Sequence, residues 1–281
     1  MEKWPTTPEG EERQAREIEE MYRILFEHPL VKNEWWTDTV VSTDALGYTK
    51  VEAFKDEYII SCDNMEDYYM DVSFISVNAQ NSIRIDANGT IIYVDPFQIE
   101  EENHDADFIF LTHDHYDHYS LDDINKVLQR ETAFIVPQAM DRKVRKNTAV
   151  GINHPVEPGK SYEVNGITFE TVAMYNKMKP FHLKKAGWCG YIIDVSGTRI
   201  YIAGDIDDID EAKAVKCDIA MIPIGGFYTM NYKEGAELIN IMKPTVAIPT
   251  HYGTAVGKTT DGESFAKLVD KDIQVEIKLK F

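Results

Sequence analysis

The chain has little cysteine, and the few cysteines that it has form no pattern. Its 281 residues include three cysteines, Cys62, Cys189 and Cys217, which are odd in number and widely scattered. Such cysteines build neither a disulfide framework nor a zinc knuckle. We therefore expect buried, reduced thiols and a cytoplasmic protein. The fold does not need disulfide bonds for stability, because a chain of this length buries about three quarters of its unfolded surface.

Long apolar runs and basic residues are also scarce. No uncharged apolar stretch approaches the roughly 20 residues of a membrane-spanning helix, and residues 1–5 contain no apolar signal core. The 29 lysines and arginines are outnumbered by 48 aspartates and glutamates, which gives a formal net charge of −19. Because a nucleic-acid surface needs basic side chains, we expect neither a nucleic-acid partner nor a membrane partner.

The first 70 residues differ in pattern from the rest of the chain. Apolar residues at helical spacing predict an amphipathic helix over residues 8–28, and aromatic residues among turn formers predict short strands over 34–63. Full exposure of Trp35 and Trp36 to water would be unfavourable. We therefore predict that residues 1–70 are an extension that packs on a main domain of residues 71–281, as a lid or a dimer contact.

Two stretches of the main domain resemble each other. Residues 85–94 and 193–202 each have the pattern of a β-hairpin with a glycine in its turn. Three further pairs follow in the same order: 107–111 with 218–222, 121–130 with 232–242, and 132–137 with 245–249. Each half is thus predicted to form a hairpin, a strand, a helix and a strand. Two such halves that stack their sheets predict an α/β fold, a four-layer αβ/βα sandwich.

A dense group of metal-binding side chains follows the apolar strand over residues 108–111. Residues 112–118 read Thr-His-Asp-His-Tyr-Asp-His and place three imidazoles and two carboxylates within six positions. A strand end does not bury such groups without partners or an ion. In a tight loop His113 and His115 can point one way, whereas Asp117 and His118 turn toward a second point. The loop therefore predicts a site for two divalent cations.

This loop resembles the His-x-His-x-Asp-His signature of the metallo-β-lactamase superfamily of metal-dependent hydrolases, whose fold is an internally duplicated αβ/βα sandwich. The resemblance covers residues 71–281. It implies that Asp205, at a strand end, bridges the two ions and that His251, after a later strand, binds the second. It also implies that Asp95, after the first hairpin, orients a metal-ligating histidine from behind.

Two asparagines stand where the resemblance implies histidines. The strand over residues 168–174 leads into Asn176, at the position of a further ligand, and an amide oxygen binds zinc more weakly than imidazole does. His182 can replace that ligand or contact substrate instead, so Asn176 and His182 are both candidates for a metal or substrate role. The chain most resembles the branch of the superfamily related to the ascorbate-phosphate lactonase and to uncharacterised metal-dependent hydrolases, and Asn78, before the first hairpin, occupies the position of a histidine that faces substrate in that branch. Tyr228, in a glycine-containing loop, is a further candidate substrate contact.

The ligand set predicts hydrolysis of a small-molecule ester, lactone or phosphodiester by water activated between two divalent ions, zinc or manganese. Asp117 is the expected base. The expected metal ligands are His113, His115, Asp117, His118, Asp205 and His251. Two alternatives stay open: a non-catalytic metal-binding or sensing domain, which the two asparagines suggest, and a nuclease, which the acidic charge disfavours. The sequence is also compatible with a homo-oligomer.

Overall fold

The chain divides into two compact units, Met1–Tyr69 and Met70–Phe281. The computed structural model describes the backbone of three strands in the first unit and nearly all of the second, over residues 38–43, 49–55, 58–62, 70–148 and 151–281. The helix predicted over residues 8–28 lies outside the described residues, as do Trp35 and Trp36. The role of this region as a lid or a dimer contact therefore stays a prediction.

The first unit contains a three-stranded antiparallel sheet. It is formed by β1 (Asp38–Thr43), β2 (Thr49–Lys55) and β3 (Tyr58–Cys62), in that order. The central strand β2 pairs with both neighbours along its length. All three strands fall within the segment 34–63 that the sequence pattern predicts to form short strands.

The second unit begins with a six-stranded sheet whose strands lie in chain order. They are β4 (Ile75–Val77), β5 (Ile83–Ala87), β6 (Thr90–Val94), β7 (Ala106–Phe110), β8 (Leu128–Pro137) and β9 (Ile152–Val156). The strands β4, β5 and β6 are antiparallel, whereas β6 to β9 are parallel. Parallel neighbours need crossovers, and α1 (Leu121–Val127) and α2 (Asp141–Asn147) supply two of them.

A seven-stranded sheet follows, again in chain order. Its strands are β10 (Ser161–Val164), β11 (Ile167–Ala173), β12 (Cys189–Val195), β13 (Thr198–Ile202), β14 (Ile219–Pro223), β15 (Val246–Thr250) and β16 (Gln274–Val275). The first four strands are antiparallel and the last four are parallel. Its helices are α3 (Asp210–Lys213), α4 (Tyr232–Met242) and α5 (Asp261–Ala266). No helix in the described part of the chain is long and apolar enough to cross a membrane.

The two sheets pack face to face, with helices on the outer faces. Phe110 of β7 meets Phe169 of β11 and Tyr191 of β12 edge-on, with ring centroids 5.1 Å apart in each pair. On the other face of the first sheet, Ile124 of α1 is buried in a second cluster. Leu238 of α4 is buried beside the second sheet. The predicted four-layer sandwich is confirmed.

The two hairpins that revealed the internal likeness have the same turn. Asn88 and Gly89 join β5 to β6 with φ values of 53° and 91°, and Ser196 and Gly197 join β12 to β13 with 53° and 87°. Positive φ at both central positions defines the turn that suits the twist of a two-residue hairpin. The two turns also touch, because Nδ2 of Asn88 donates to Oγ of Ser196 at 3.2 Å.

The first helix is shorter than the sequence predicts. The apolar spacing favours a helix over 121–130, but α1 ends at Val127 and β8 begins at Leu128 with an extended backbone. Leu128 pairs with Ala106 of β7, and Oγ1 of Thr132 donates to the carbonyl oxygen of Ala106 at 2.7 Å. Pairing with β7 therefore overrides the local helical preference over the last three residues.

Strand ends from both sheets meet at one edge of the sandwich. Asp95 follows β6 and residues 112–118 follow β7, whereas Asp205 follows β13 and His251 follows β15. The loops at the carboxyl ends of parallel strands are where α/β proteins usually build their sites. Nearly all of the polar residues predicted to carry chemistry therefore come from this edge.

Candidate metal centre

The loop after β7 directs its side chains toward two points. Nε2 of His113 lies 3.1 Å from Nδ1 of His115. Farther along the loop, Nε2 of His118 lies 3.7 Å from Oδ2 of Asp117. The loop starts from a fixed place, because Leu111 is fully buried and its N–H still bonds to β8. A rigid strand end thus holds two pairs of donor atoms.

His182 and Asp205 join the first pair. Nε2 of His182 lies 3.2 Å from Nδ1 of His115 and 3.4 Å from Oδ2 of Asp205. Oδ2 of Asp205 is 4.0 Å from Nε2 of His113. We call these four atoms the first ligand group: Nε2 of His113, Nδ1 of His115, Nε2 of His182 and Oδ2 of Asp205.

His251 and the other oxygen of Asp205 join the second pair. Nε2 of His251 lies 3.3 Å from Oδ2 of Asp117 and 3.4 Å from Oδ1 of Asp205. Oδ1 of Asp205 is also 3.4 Å from Nε2 of His118. We call these atoms the second ligand group: Oδ2 of Asp117, Nε2 of His118, Nε2 of His251 and Oδ1 of Asp205.

Both groups have the spacing of a metal coordination shell. Ligands around a tetrahedral ion with bonds of roughly 2.0–2.1 Å lie roughly 3.3–3.4 Å from one another. The measured separations are 3.1–4.0 Å in the first group and 3.3–3.7 Å in the second. Nε2 of His118, Nε2 of His251 and Oδ1 of Asp205 are buried and have no hydrogen-bond partner. Since such atoms are costly to bury alone, the residues fit a pair of bound cations.

Asp205 reaches both groups because of the backbone that precedes it. Gly204 adopts a φ of 65°, and a Cβ at this position would lie 2.7 Å from Sδ of Met174 and 3.1 Å from Cβ of Thr112. Only glycine fits this turn without strain. The tight turn after β13 brings the carboxylate of Asp205 between the two groups, with one oxygen in each.

Asp95 holds the second group from behind. Its Oδ2 lies 2.7 Å from Nδ1 of His118, and the same oxygen accepts a hydrogen bond from Nδ2 of Asn81 at 2.9 Å. Its Oδ1 accepts from the backbone N–H of Thr112 at 2.8 Å. A histidine that donates from Nδ1 keeps its Nε2 lone pair for an ion. Asp95 therefore fixes both the orientation and the tautomer of His118.

Asn81 and Thr250 extend this support toward His251. Oγ1 of Thr250 lies 3.3 Å from Oδ1 of Asn81, and the backbone N–H of His251 donates to the carbonyl oxygen of Gln80 at 2.9 Å. His251 itself has a φ of 55°, which is uncommon for a residue with a side chain. The segment 79–82, which sequence reasoning missed, thus fixes a strained strand end. Its only sequence signal was a polar run beside an apolar strand.

Asn176 lies behind His182 rather than beside the other ligands. Its Oδ1 accepts from Nδ1 of His182 at 2.8 Å, and its Nδ2 donates to the carbonyl oxygen of Tyr228 at 3.1 Å. Its backbone N–H also bonds to the carbonyl oxygen of His182 at 2.7 Å. Of the two candidates for the further ligand, the structure brings His182 into the first ligand group. Asn176 instead orients His182, as Asp95 orients His118.

The two candidate substrate contacts have different surroundings. Asn78 is exposed, and its Nδ2 donates to the carbonyl oxygens of Phe97 and Gln98 at 2.9 and 2.7 Å. It therefore holds the loop that follows β6. Tyr228 is joined to the first ligand group through Asn176, and its ring is partly exposed. Trp188, which was not among the predicted site residues, packs on His113 and His115 with centroid distances of 5.1 and 5.3 Å.

The two groups differ in proton affinity. Burial and the neighbouring His118 and His182 lower the pKa of His113 well below its ordinary value, and burial lowers the pKa of His182 to about 4. Burial also disfavours the charged form of His118, but the carboxylates of Asp205 and Asp95 outweigh it and raise the pKa of His118 to about 9. At neutral pH the first group thus offers neutral imidazoles, whereas a cation that entered the second group would have to displace a proton from His118.

Asp117 stays ionised in these surroundings. Burial opposes the negative charge, but the imidazole of His251, 3.3 Å away, and the charge of His118 lower the pKa of the Asp117 carboxyl below its usual value. The neighbouring Asp114 points elsewhere, because its Oδ2 pairs with Nζ of Lys143 at 2.8 Å. Of the two carboxylates in this loop, Asp117 therefore belongs to the second ligand group and Asp114 does not.

Comparison with known proteins gives a consistent family. The model of the β-lactamase superfamily domain matches residues 75–251 of this chain. A metal-dependent hydrolase of Thermococcus onnurineus is 31% identical over 203 residues, covering 66% of this chain and 88% of that protein. A metal-dependent hydrolase of Staphylococcus carnosus is 28% identical over 223 residues, covering 72% of this chain and 95% of that protein. The matched span includes both ligand groups.

A solved structure has the same fold. A metallo hydrolase from the archaeon Ignicoccus hospitalis superposes with a TM-score of 0.59 and 20% sequence identity, over 72% of this chain and 93% of that chain. At this level of identity the likeness concerns the fold alone. It supports the description of the second unit as a four-layer sandwich.

Proposed function

The chain belongs to the metallo-β-lactamase superfamily of metal-dependent hydrolases, and from this premise we propose that it hydrolyses a small ester, lactone or phosphodiester with two bound divalent ions. The observation that carries the proposal is the pair of ligand groups that share the carboxylate of Asp205, with one oxygen in each. His113, His115 and His182 would complete the first site. The second site would be completed by Asp117, His118 and His251.

Bound divalent ions supply the chemistry of acidifying water and polarising the bond that water attacks. The protein residues supply position and proton transfer. For an ester, the water oxygen forms a bond to the carbonyl carbon while the carbon–oxygen bond to the alcohol breaks. The ionised carboxylate of Asp117 takes the proton that water loses and returns it to the departing alcohol oxygen. The products are one carboxylic acid and one alcohol.

The donor atoms suit zinc or manganese. The first group offers three imidazole nitrogens and one carboxylate oxygen, a set that suits zinc. The second group offers two imidazole nitrogens and two carboxylate oxygens, which makes it the better site for manganese. We therefore propose that any difference in metal content between preparations arises at the second group.

Metal analysis and turnover together test this function. Protein purified without chelator should contain close to two equivalents of zinc plus manganese, and it should hydrolyse at least one member of an ester, lactone and phosphodiester panel. Metal-stripped protein should be inactive and should recover on adding either ion. Asp117→Asn should lose turnover, whereas Asp114→Asn is the matched control in the same loop, because Asp114 pairs with Lys143. No turnover with any reconstituted metal would reject hydrolysis.

A non-catalytic sensing domain is the second candidate. It was suggested by two asparagines at histidine positions, yet Asn176 and Asn78 use their amides to hold His182 and the loop after β6. His182 supplies a nitrogen to the first group, so that group is not depleted by Asn176. Tight metal binding without turnover of any substrate would favour this alternative. A nuclease is disfavoured by the net charge of −19.

The first 70 residues have a proposed role as well. We propose that they form a lid or a dimer contact for the main domain. Deleting residues 1–65 should change the oligomeric mass or the solubility of the protein, which light scattering measures. A truncated protein with unchanged mass, solubility and turnover would reject this role.

A further inference from the structure

Aromatic side chains flank the metal centre on the side of the loop after β7. Tyr116 lies between two ligand residues, His115 and Asp117, and its side chain is 71% exposed. Its ring packs edge-on against Phe97, with centroids 5.9 Å apart. Nδ2 of Asn78 bonds to the carbonyl oxygen of Phe97, so the loop that carries this ring is held in place. The ring of Phe97 is therefore in contact with the ligand loop.

A second aromatic group lies on the side of His182. Phe181 precedes this ligand, and its ring contacts Phe227 and Tyr228 with centroid distances of 5.6 and 4.7 Å. Phe227 is 68% exposed and Tyr228 is 38% exposed. The carbonyl oxygen of Tyr228 accepts from Asn176, the residue that orients His182. The three rings are therefore linked to His182 of the first ligand group through Asn176.

Both aromatic groups adjoin residues of the ligand groups. Tyr116 stands between the ligand residues His115 and Asp117, and the carbonyl oxygen of Tyr228 accepts from Asn176, the residue that orients His182. We call the five side chains the aromatic rim: Phe97, Tyr116, Phe181, Phe227 and Tyr228. Exposed aromatic residues in contact with one another beside a site are a common form of ligand surface.

Two lysines that reach the loops of the site have carboxylate partners. Nζ of Lys143 pairs with Oδ2 of Asp114 at 2.8 Å. Nζ of Lys179 pairs with Oδ1 of Asp207 at 2.6 Å and donates to the carbonyl oxygen of Thr229 at 2.6 Å. These two amines therefore have carboxylate partners and are poorly placed to bind a phosphate or carboxylate group of a substrate.

We infer that the aromatic rim binds an uncharged apolar group of the substrate, so that the preferred substrate is a carboxylic ester or lactone with an aryl or alkyl substituent. The inference rests on the proposed hydrolysis and narrows its substrate class. The aromatic faces exclude water from an apolar substituent, whereas an anionic substituent finds no unpaired amine among the two lysines above. In the reaction, water adds to the carbonyl carbon and the ring or ester carbon–oxygen bond breaks, so no further reactant is needed.

A series of γ-substituted butyrolactones tests the inference, because the substituent is on the carbon that carries the leaving oxygen and not on the carbonyl carbon that water attacks. We expect kcat/KM of the metal-loaded protein to be roughly tenfold or more higher for the γ-phenyl lactone than for the γ-methyl lactone. The γ-carboxylate lactone and a phosphodiester should be poorer than either. Phe227→Ala should reduce the phenyl-to-methyl ratio several-fold. Ile241→Ala, an exposed apolar residue on α4 that is outside the rim, should leave the ratio unchanged.

The outcomes separate the two proposals. Equal rates for the phenyl and methyl lactones, a preference for the charged substrates, or a ratio that Phe227→Ala leaves unchanged would each overturn the role of the rim while leaving hydrolysis intact. Phe227 is mostly exposed, so its truncation is not expected to prevent folding. A metal-loaded protein that hydrolyses none of these compounds would overturn the proposed function, and the inference with it.

Discussion

The two ligand groups share Asp205 and have similar spacing, yet they differ in how they are supported. His182 in the first group is held by the neutral amide of Asn176, whereas His118 in the second group is held by the carboxylate of Asp95. The pKa of His182 is lowered to about 4 by burial, but carboxylates overcome burial and raise the pKa of His118 to about 9. The comparison teaches that the number of carboxylates around an imidazole sets its proton affinity: His118 has Asp205 and Asp95 beside it, whereas His182 has Asp205 opposed by burial and by other imidazoles.

The groups also differ in whether their ligand atoms have hydrogen-bond partners within the protein. The atoms of the second group that lack any hydrogen-bond partner are Nε2 of His118, Nε2 of His251 and Oδ1 of Asp205. In the first group, by contrast, Nδ1 of His115 lies 3.1 Å from Nε2 of His113 and 3.2 Å from Nε2 of His182. Because neutral imidazoles can bond to each other, the first group tolerates metal loss better. The second group depends more strongly on a cation for its stability.

Asp205→Asn should have the largest effect, because it removes the one carboxylate common to both groups. Changes behind a ligand cost roughly 10–100-fold in metal affinity, so loss of a shared ligand should weaken both sites by more than about 100-fold and abolish turnover. Metal content by mass spectrometry and turnover measure this. Asp210→Asn is the matched control, since Asp210 is exposed and pairs only weakly with Lys177. An Asp205→Asn protein that keeps two ions would refute the shared-ligand geometry.

Single-histidine variants should divide the centre into its two groups. His251→Ala should lower the metal content from two ions to one and spare the first group, and His182→Ala should do the reverse. Their residual ions should differ, with zinc retained preferentially in His251→Ala and manganese better tolerated in His182→Ala. Elemental analysis after dialysis against both metals gives the result. Loss of both ions from either variant would show that the groups do not bind independently.

Much of this centre is predictable from the sequence, because most of its residues follow regular strands. The run His113 to His118 comes directly after β7, and Asp205 and His251 each come at or just after the end of a β-strand. Parallel strands bring such positions to one edge whatever the details of packing. The repeated hairpin also predicted the two stacked sheets, because hairpin turns have local sequence signals.

The remaining parts depend on irregular backbone that has no such period. His182 lies in the loop between β11 and β12, and spacing alone could not decide between it and Asn176, because the choice depends on a hydrogen bond of 2.8 Å between them. Asn81 joins Asp95 and Thr250 across 14 and 169 positions of the chain, respectively. The end of α1 at Val127 depends on pairing between β7 and β8. Contacts that depend on how the backbone folds, between residues six to 169 positions apart, decided these features, and a local sequence pattern does not specify them.

The variants Asp95→Asn and Asn176→Ala test the side chains that hold His118 and His182, respectively. Asp95→Asn should weaken the second site by roughly 10–100-fold, because His118 loses its charged partner and three further buried donors lose a carboxylate. Asn176→Ala should weaken the first site by less, about tenfold at most, since only a neutral hydrogen bond is lost.

Metal titration with a competing chelator measures both affinities. Asp86→Asn is the control for the charge change, as Asp86 bonds to a hairpin turn remote from the ligand residues. The comparison of the two supports would be wrong if Asn176→Ala weakened binding more than Asp95→Asn did.

The smallest expected effect is a difference in pH dependence. In the metal-free protein His118 is protonated below a pKa of about 9, so a cation must displace a proton there at neutral pH. Affinity at the second site should therefore fall by roughly tenfold per pH unit as pH decreases from 8.5 to 6.5. His182 has a pKa of about 4 and carries no proton to displace in this range, so the first site should change much less. Zinc titrations of His182→Ala and His251→Ala at three pH values isolate each site, and parallel slopes for the two variants would show that Asp95 and Asn176 do not set different proton affinities.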